Sequence, residues 1–501
     1  MVTRVYTASL IGVRGYLVTV ESDIHQGMPS YSIVGLADTT IRESFRRIRS
    51  ALVNCSYDIP AQKITVNLVP AGKRKEGSHF DLPIAMGLIF SGKECRTLEN
   101  TAFFGELSLD GRINHIKGAL PLALSVRREG IKRIVIPASN AGEVSIIKDM
   151  EIIPVTTLEE AATFVMNPDI FTGYMEQGTS ETEVNEADFD QVIGQESVKR
   201  ALVIAAAGNH GVLMMGEPGC GKTMMAKRIP GIMPKLTTEE QLEISGIYSV
   251  AGLLDEMFPY VSRRPFRSPH HTISAVGLIG GGSGKVRPGE LSLAHGGVLF
   301  LDELGEFDNR TIDAIRQPLE EGMVRIHRNS DEIIFPAECL VIAAANPCKC
   351  GNLWSDTRVC TCTPRQLHAY ARKLTGPFAD RIDMHIKVNK VSREDVNMGI
   401  VGASTEEMKK QVEECRKIQN LRYKDTSYET NSSLDNEGIR RYCIMSDGAG
   451  EIINRAYDSM SMNMRTYCKL VKIARTIADL AKSEAICEEH IAEALMYRVE
   501  G

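Results

Sequence analysis

The sequence predicts an α/β protein: a parallel sheet built around a phosphate loop, with a mixed α+β unit before it and a helical unit after it. Three observations carry this. Gly216-Glu217-Pro218-Gly219-Cys220-Gly221-Lys222-Thr223 follows a strand-like run (212–215) and opens a helical one (224–228), the context a GxxxxGK[ST] loop needs. Two further apolar runs, 298–301 and 339–345, end on polar residues, as parallel strands buried on both faces do. The last ~110 residues carry helical periodicity in 405–422, 434–443, 448–460 and 465–482.

Length and composition set the frame for these elements. At roughly 100–200 residues per domain, 501 residues hold about three domains. An apolar share of 43% with 24% charged residues excludes a disordered, collagen-like or coiled-coil chain. Strands at 14–20 and 64–69 alternate with helices at 41–52 and 81–89, so residues 1–170 read as one mixed unit. Residues 171–188 carry five acids and no base, an acidic linker with nothing apolar to bury. A second compact unit spans 189–393 and a helical one 394–501. The uncharged run 201–216 is short and broken by Gly208-Asn209-His210-Gly211, so no membrane span is expected. No signal pattern opens the chain, which predicts a cytoplasmic protein with its 12 cysteines reduced.

The glycines of residues 216–223 let successive backbone N–H groups turn toward phosphate oxygens, and the following helix adds its dipole. Lys222 reaches the β/γ phosphates of a nucleoside triphosphate, and the Thr223 hydroxyl ligates Mg²⁺. Asp302 ends the second strand and suits the other Mg²⁺ contact; Glu303 beside it suits polarising the attacking water. Asn346 ends the third strand, where a side-chain amide can hold that water. Arg381 lies between acids before the strand-like 384–388, and Arg465 opens a helix. As a set they are charge stabilisers for phosphoryl transfer.

This order resembles the AAA+ ATPases, and within them the YifB/ComM family of magnesium-chelatase-like proteins, over nearly the whole chain. The family-specific stretches are Arg264-Pro265-Phe266-Arg267-Ser268-Pro269-His270-His271, Arg287-Pro288-Gly289-Glu290-Leu291-Ser292-Leu293-Ala294-His295 and Gly376-Pro377-Phe378-Ala379-Asp380-Arg381-Ile382-Asp383. The resemblance implies that Asn346 is the sensor-1 residue, Arg465 the sensor-2 residue and Arg381 an arginine finger acting in trans. It also implies a homo-oligomeric ring, a hexamer, and ATP with Mg²⁺ as cofactors.

Net charge is −6, yet residues 257–289 hold no acid and five bases, Arg263, Arg264, Arg267, Lys285 and Arg287. That segment suits phosphate tracking on DNA without base reading, or else its arginines are structural; both readings stand at this point. Arg325 and Arg328 alternate with apolar residues in a hairpin that projects into the central pore in the related helicases. Cys348-Lys349-Cys350 and Cys360-Thr361-Cys362, nine residues apart, are spaced to hold a structural Zn²⁺, against the alternative of reduced cysteines packing a loop.

Residues 17–143 resemble the Lon-protease-type domain, at Lys75-Glu76-Gly77-Ser78-His79-Phe80-Asp81-Leu82-Pro83-Ile84-Ala85, Gly105-Glu106-Leu107-Ser108-Leu109-Asp110-Gly111-Arg112-Ile113 and Gly130-Ile131-Lys132-Arg133-Ile134-Val135-Ile136-Pro137. The position of the protease serine holds His79, Ser78 is one residue early, and Lys117 is out of register with the protease lysine. The expectation is a catalytically silent domain that binds DNA or organises the ring. The resemblance implies a helicase migrating branched, sequence-independent DNA in homologous recombination of incoming strands. The alternatives are a metal-insertion ATPase of the magnesium-chelatase type and a protein remodeller.

Overall fold

A computed structural model of the chain describes residues 2–175, 188–282, 286–328, 331–376, 378–391, 402–460 and 462–498. The N-terminal strands are β1 (Thr3–Ile11), β2 (Arg14–His25), β3 (Ser30–Val34), β4 (Lys63–Val69), β5 (Thr101–Phe103), β6 (Arg133–Pro137) and β7 (Glu151–Val155). They form one mixed sheet in the order β3-β4-β2-β1-β5-β6-β7. β1 and β2 pair antiparallel from Thr3↔Ser22 to Ile11↔Arg14, so only Gly12 and Val13 make the turn. Because side chains alternate along a strand, Val5 packs with the helices Thr39–Asn54 and Asp81–Ile89 on one face. Ala8 packs with the helix Ala119–Arg128 on the other.

The second sheet comprises β8 (Val212–Gly216), β9 (Phe266–Arg267), β10 (Val298–Leu301), β13 (Leu340–Ala345) and β14 (Met384–Val388). Its order is β9-β10-β13-β8-β14 and every pair is parallel. Between β10 and β13 the chain makes an antiparallel hairpin of β11 (Met323–Arg328) and β12 (Asp331–Pro336). Both faces of the sheet are covered, which explains the unbroken apolar runs. Val212, Met214, Phe300 and Ile342 face one core; Leu213, Leu299, Val341 and Ala343 face the other.

The C-terminal helices Thr405–Tyr423, Asn436–Tyr442, Asp447–Ser459, Met464–Leu480 and Glu488–Met496 are close to the runs expected. Ser404 and Asn463 cap two of them by accepting from Glu407 N–H and Thr466 N–H. The expectation of a third, separate unit needs qualifying: Leu470, Ile473 and Ile477 share a single core with Val212, Met214 and Phe300. Inside this helical unit the Asp479 carboxylate, 1% exposed, accepts from Arg422, Arg475 and Asn431.

The acidic run suggested units held apart, yet the N-terminal unit docks on the helix Thr238–Ala251. Gly118 N–H donates to Ser249 O at 3.1 Å. The Ser249 hydroxyl donates to the buried Glu143 carboxyl, whose pKa is pushed up by burial. Leu10 of β1 and Val13 of the β1–β2 turn pack against the second sheet's core. Residues 176–187 of the linker lie outside the described residues.

Candidate nucleotide site and the cysteine loop beside it

The phosphate loop joins the C-terminal end of β8 to the helix Lys222–Ala226. Gly219 and Gly221 have φ of +80° and +90°, a left-handed conformation that costs glycine nothing. Gly216 is required by proximity: a Cβ there would lie 2.3 Å from Val388 O. Lys222 folds back over the loop, donating to Gly216 O at 2.6 Å, Glu217 O at 3.0 Å and Asn346 Oδ1 at 3.2 Å. The Thr223 hydroxyl donates to Asp302 Oδ2 at 2.8 Å. Thus β8, β10 and β13, adjacent in the sheet, bring together Lys222, Thr223, Asp302 and Asn346 from three separated sequence segments.

These residues fit the group the sequence implied. A hydroxyl and a carboxylate form a hard oxygen pair for Mg²⁺, which supplies charge neutralisation at phosphate oxygens when bound. Lys222 and the loop N–H groups could bind and orient a triphosphate chain. Glu303 follows Asp302 and projects from an exposed turn with φ of +53°, unusual for a non-glycine residue. A carboxylate there could act as a base toward water, and the Asn346 amide, which meets Lys222, could help orient it.

One residue at this site escaped assignment from the sequence. His271 Nδ1 lies 3.1 Å from Glu303 Oε2, and its ring lies tilted against His270 with centroids 4.1 Å apart and meets Phe307 edge-on at 6.4 Å. The signal was available in Ser268-Pro269-His270-His271, which follows β9, the edge strand beside β10. Reading that segment for its arginines obscured its histidines.

The two expected charge stabilisers converge elsewhere. Arg381 Nη2 lies 3.1 Å from Glu320 Oε1, and Arg465 pairs with the same oxygen. Glu320 belongs to the helix Arg316–Glu321, and Lys469 ties the Arg465 helix to the Arg381 turn by donating to Asp380 O and Ile382 O. Nearby, burial pushes the Asp383 carboxyl up, but the His210 hydrogen bond and Lys469 outweigh it and hold the carboxyl below the usual carboxylate range.

The residues considered for DNA are placed as follows. Arg264 is 10% exposed, donating to Pro234 O, Gly296 O and Glu240, so its charge is spent inside the chain. Arg267 forms a two-point pair with Glu290 at 2.6 and 2.8 Å. For these two the structural reading is the one the geometry favours, because a guanidinium committed to buried carbonyls or a fork-to-fork carboxylate has few donors left. Arg263 and Arg287 are exposed. Lys285 lies outside the described residues. Arg325 of β11 pairs with Glu321 and Glu332, each at 3.0 Å, and Arg328 stands opposite Asp331 in the hairpin register.

In the N-terminal unit Ser78 lies in the short helical turn Ser78–Phe80, and His79 is buried with Nε2 2.9 Å from Ala8 O. Lys117 lies across Gly252 at the end of the helix Thr238–Ala251, where a Cβ would meet its Cε at 2.8 Å.

Directly after Asn346 the four cysteine sulfurs gather within 4.8 Å of one another. Cys348–Cys350, Cys350–Cys360 and Cys348–Cys360 separations are 3.4, 3.5 and 3.7 Å. A disulfide needs about 2.05 Å, whereas four thiolates about 2.3 Å from zinc stand about 3.8 Å apart along a tetrahedral edge. The donor set therefore fits a thiophilic cation in a closed, structural site. Among the described residues no helix is long and apolar enough to cross a membrane.

Comparison with known proteins agrees with this geometry. The family model described as "Magnesium chelatase, subunit ChlI" matches residues 188–396. "Subunit ChlI of Mg-chelatase" matches 20–140, and "Magnesium chelatase, subunit ChlI C-terminal" matches 402–498. Fold and site together define a magnesium-chelatase-like ATPase of the AAA+ class. The chain is 37% identical to the competence protein ComM of Haemophilus influenzae, covering 99% of this chain and 97% of that one. It is 36% identical to YifB of Escherichia coli, covering 99% and 96%. The 38 kDa magnesium-chelatase subunit of Rhodobacter capsulatus is 24% identical over 32% of this chain and 50% of its own. The chain belongs to the YifB/ComM family.

Proposed function

We propose that this protein is a ring-forming, ATP-driven DNA motor, a hexamer that migrates branched DNA without reading sequence during recombination of incoming strands. The observation that carries the ring is the division of the catalytic charges. Lys222, Thr223, Asp302 and Asn346 gather on one loop, while Arg381 and Arg465 meet on Glu320 of a different helix. Two arginines gathered away from the phosphate loop suit delivery to a neighbouring copy's phosphates. The hairpin β11–β12, with Arg325 and Arg328 on it, is the element proposed to push on DNA. Similarity over full length to a protein named for competence supports incoming DNA as the substrate. Metal insertion has weaker support, since the 38 kDa chelatase subunit is 24% identical over 32% of this chain, against 37% over 99% for the competence protein. The N-terminal unit, docked on Ser249, is read as a silent organiser of the ring.

The test mixes two full-length variants, Lys222→Ala and Arg381→Ala. Each alone loses ATP turnover, the arginine variant by roughly 10³–10⁵-fold. A mixture regains turnover if Arg381 acts across the interface, and a mixture as dead as its parts overturns the ring. For DNA, turnover is measured with and without four-way junctions. No stimulation, together with junctions that still migrate with Lys222→Ala, defeats the motor.

A further inference from the structure

The cysteine loop does more than follow Asn346: it meets the phosphate loop at Pro218 and at Glu217. Gly351, buried and at φ of +82°, lies so close to Pro218 that a Cβ would stand 2.7 and 2.9 Å from Pro218 Cγ and Cδ. Ser355 lies beside Glu217, which pairs with Lys390 just beyond β14. Between these contacts the Trp354 ring lies over Lys387, with Nζ 5.1 Å from the ring centroid. Glu217, Trp354, Ser355, Lys387 and Lys390 line one cavity of about 320 Å³. The far side of the phosphate loop is fixed by Asn346, which accepts from Lys222 two residues before Cys348. The anchor at Pro218 and Glu217 therefore belongs to the segment in which the four sulfurs cluster, and Asn346, at the end of β13, leads directly into it. Apart from Gly351 and Cys348, residues 348–362 are half-buried or exposed, so the loop has little apolar packing to hold it without a central ion.

We infer that a thiophilic divalent cation, zinc by its chemistry, held by Cys348, Cys350, Cys360 and Cys362, is part of the nucleotide-binding apparatus: its occupancy fixes the loop against Pro218 and Glu217 and thereby sets the affinity for MgATP. The inference rests on the reading of the cysteines as a metal site and of residues 216–223 as the ATP site. Removing the ion frees the loop, and the phosphate loop loses its buttress. By linkage the coupling runs both ways, so MgATP raises zinc affinity by the same factor.

The experiment uses the full chain. Zinc is quantified in the purified protein, removed with a mercurial and chelator, and restored with ZnCl₂; the MgATP Kd is measured calorimetrically at each stage. Trp354 is the chain's sole tryptophan, so its emission reports the loop directly. One zinc per chain is expected, with a Kd that rises roughly 5–150-fold on stripping, the usual range of intersite coupling, and recovers on zinc return. Trp354 emission should shift on stripping and respond to MgATP in the loaded form. Zinc that leaves and returns with the Kd unchanged within twofold overturns the coupling while the metal site stands. Purified protein that neither holds nor takes up zinc overturns the metal site itself, and loaded protein that binds no MgATP overturns the nucleotide reading. Gly351→Ala provides a second route. It should keep its zinc yet bind MgATP more weakly, and full zinc with unchanged affinity would refute the contact as the path.

Discussion

Replacing Asp479 with alanine should loosen the helix that presents Arg465, by an amount the structure allows to be estimated. Asp479 is 1% exposed and accepts from Arg422 Nη1 at 2.8 Å, Arg475 Nη2 at 2.9 Å and Asn431 Nδ2 at 2.9 Å. Removing one partner of a buried ion pair costs about 3–5 kcal/mol, because the remaining charge stays desolvated. Two details place this case at the lower end. Arg475, although 0% exposed, keeps the carbonyls of Ser483 and Glu484, and Arg422 retains 18% exposure to water. A loss of about 3 kcal/mol corresponds to roughly a 10²-fold rise in helix opening. Native-state hydrogen exchange on residues 464–480 measures that opening directly. Replacing Arg422, Arg475 and Asp479 together with apolar residues of similar volume should recover most of the loss. A protection change under about fivefold in Asp479→Ala would refute the argument, since five-fold is only about 1 kcal/mol.

Lys222→Ala should abolish MgATP binding, whereas Glu303→Gln should bind MgATP and lose at least about 10²-fold in kcat, as removal of a general base does; equal Kd values for the two variants would contradict their separate roles. His271→Ala should lower kcat by about 10–10²-fold with little change in KM, less than the roughly 10²–10⁴-fold attributed to the base itself, because it acts through Glu303. Burial pushes the Asp81 carboxyl up to about 6 despite its pair with Arg47. Its folded pKa is thus above its unfolded one, so its contribution to stability is present at pH below about 4 and lost as pH rises through about 6. Carbon-detected NMR titration of Asp81 checks this, and a midpoint near 4 would refute it.

The local pattern of residues 216–223 already determined a strand, a phosphate loop and a helix, because glycine freedom, a lysine and a hydroxyl at fixed spacing need no distant partner. The continuous apolar runs in β10 and β13 likewise announced a buried parallel sheet. The C-terminal helices were legible within a few residues, since caps such as Ser404 and Asn463 are local chemistry. Strand order was not, because adjacency between β8 and β13 depends on segments more than a hundred residues apart. Separation along the chain likewise hid His271 beside Glu303, the meeting of Arg381 and Arg465 on Glu320, and the press of Gly351 on Pro218. Charge counting left Arg264 and Arg267 open between phosphate tracking and a structural role; the fold spends both on Glu240, Glu290 and backbone carbonyls. Sequence by itself determined which chemistries the chain carries, since those follow from residue type and near spacing. Only the tertiary structure decided which of them touch, since contact between distant segments is set by how the sheets and helices pack.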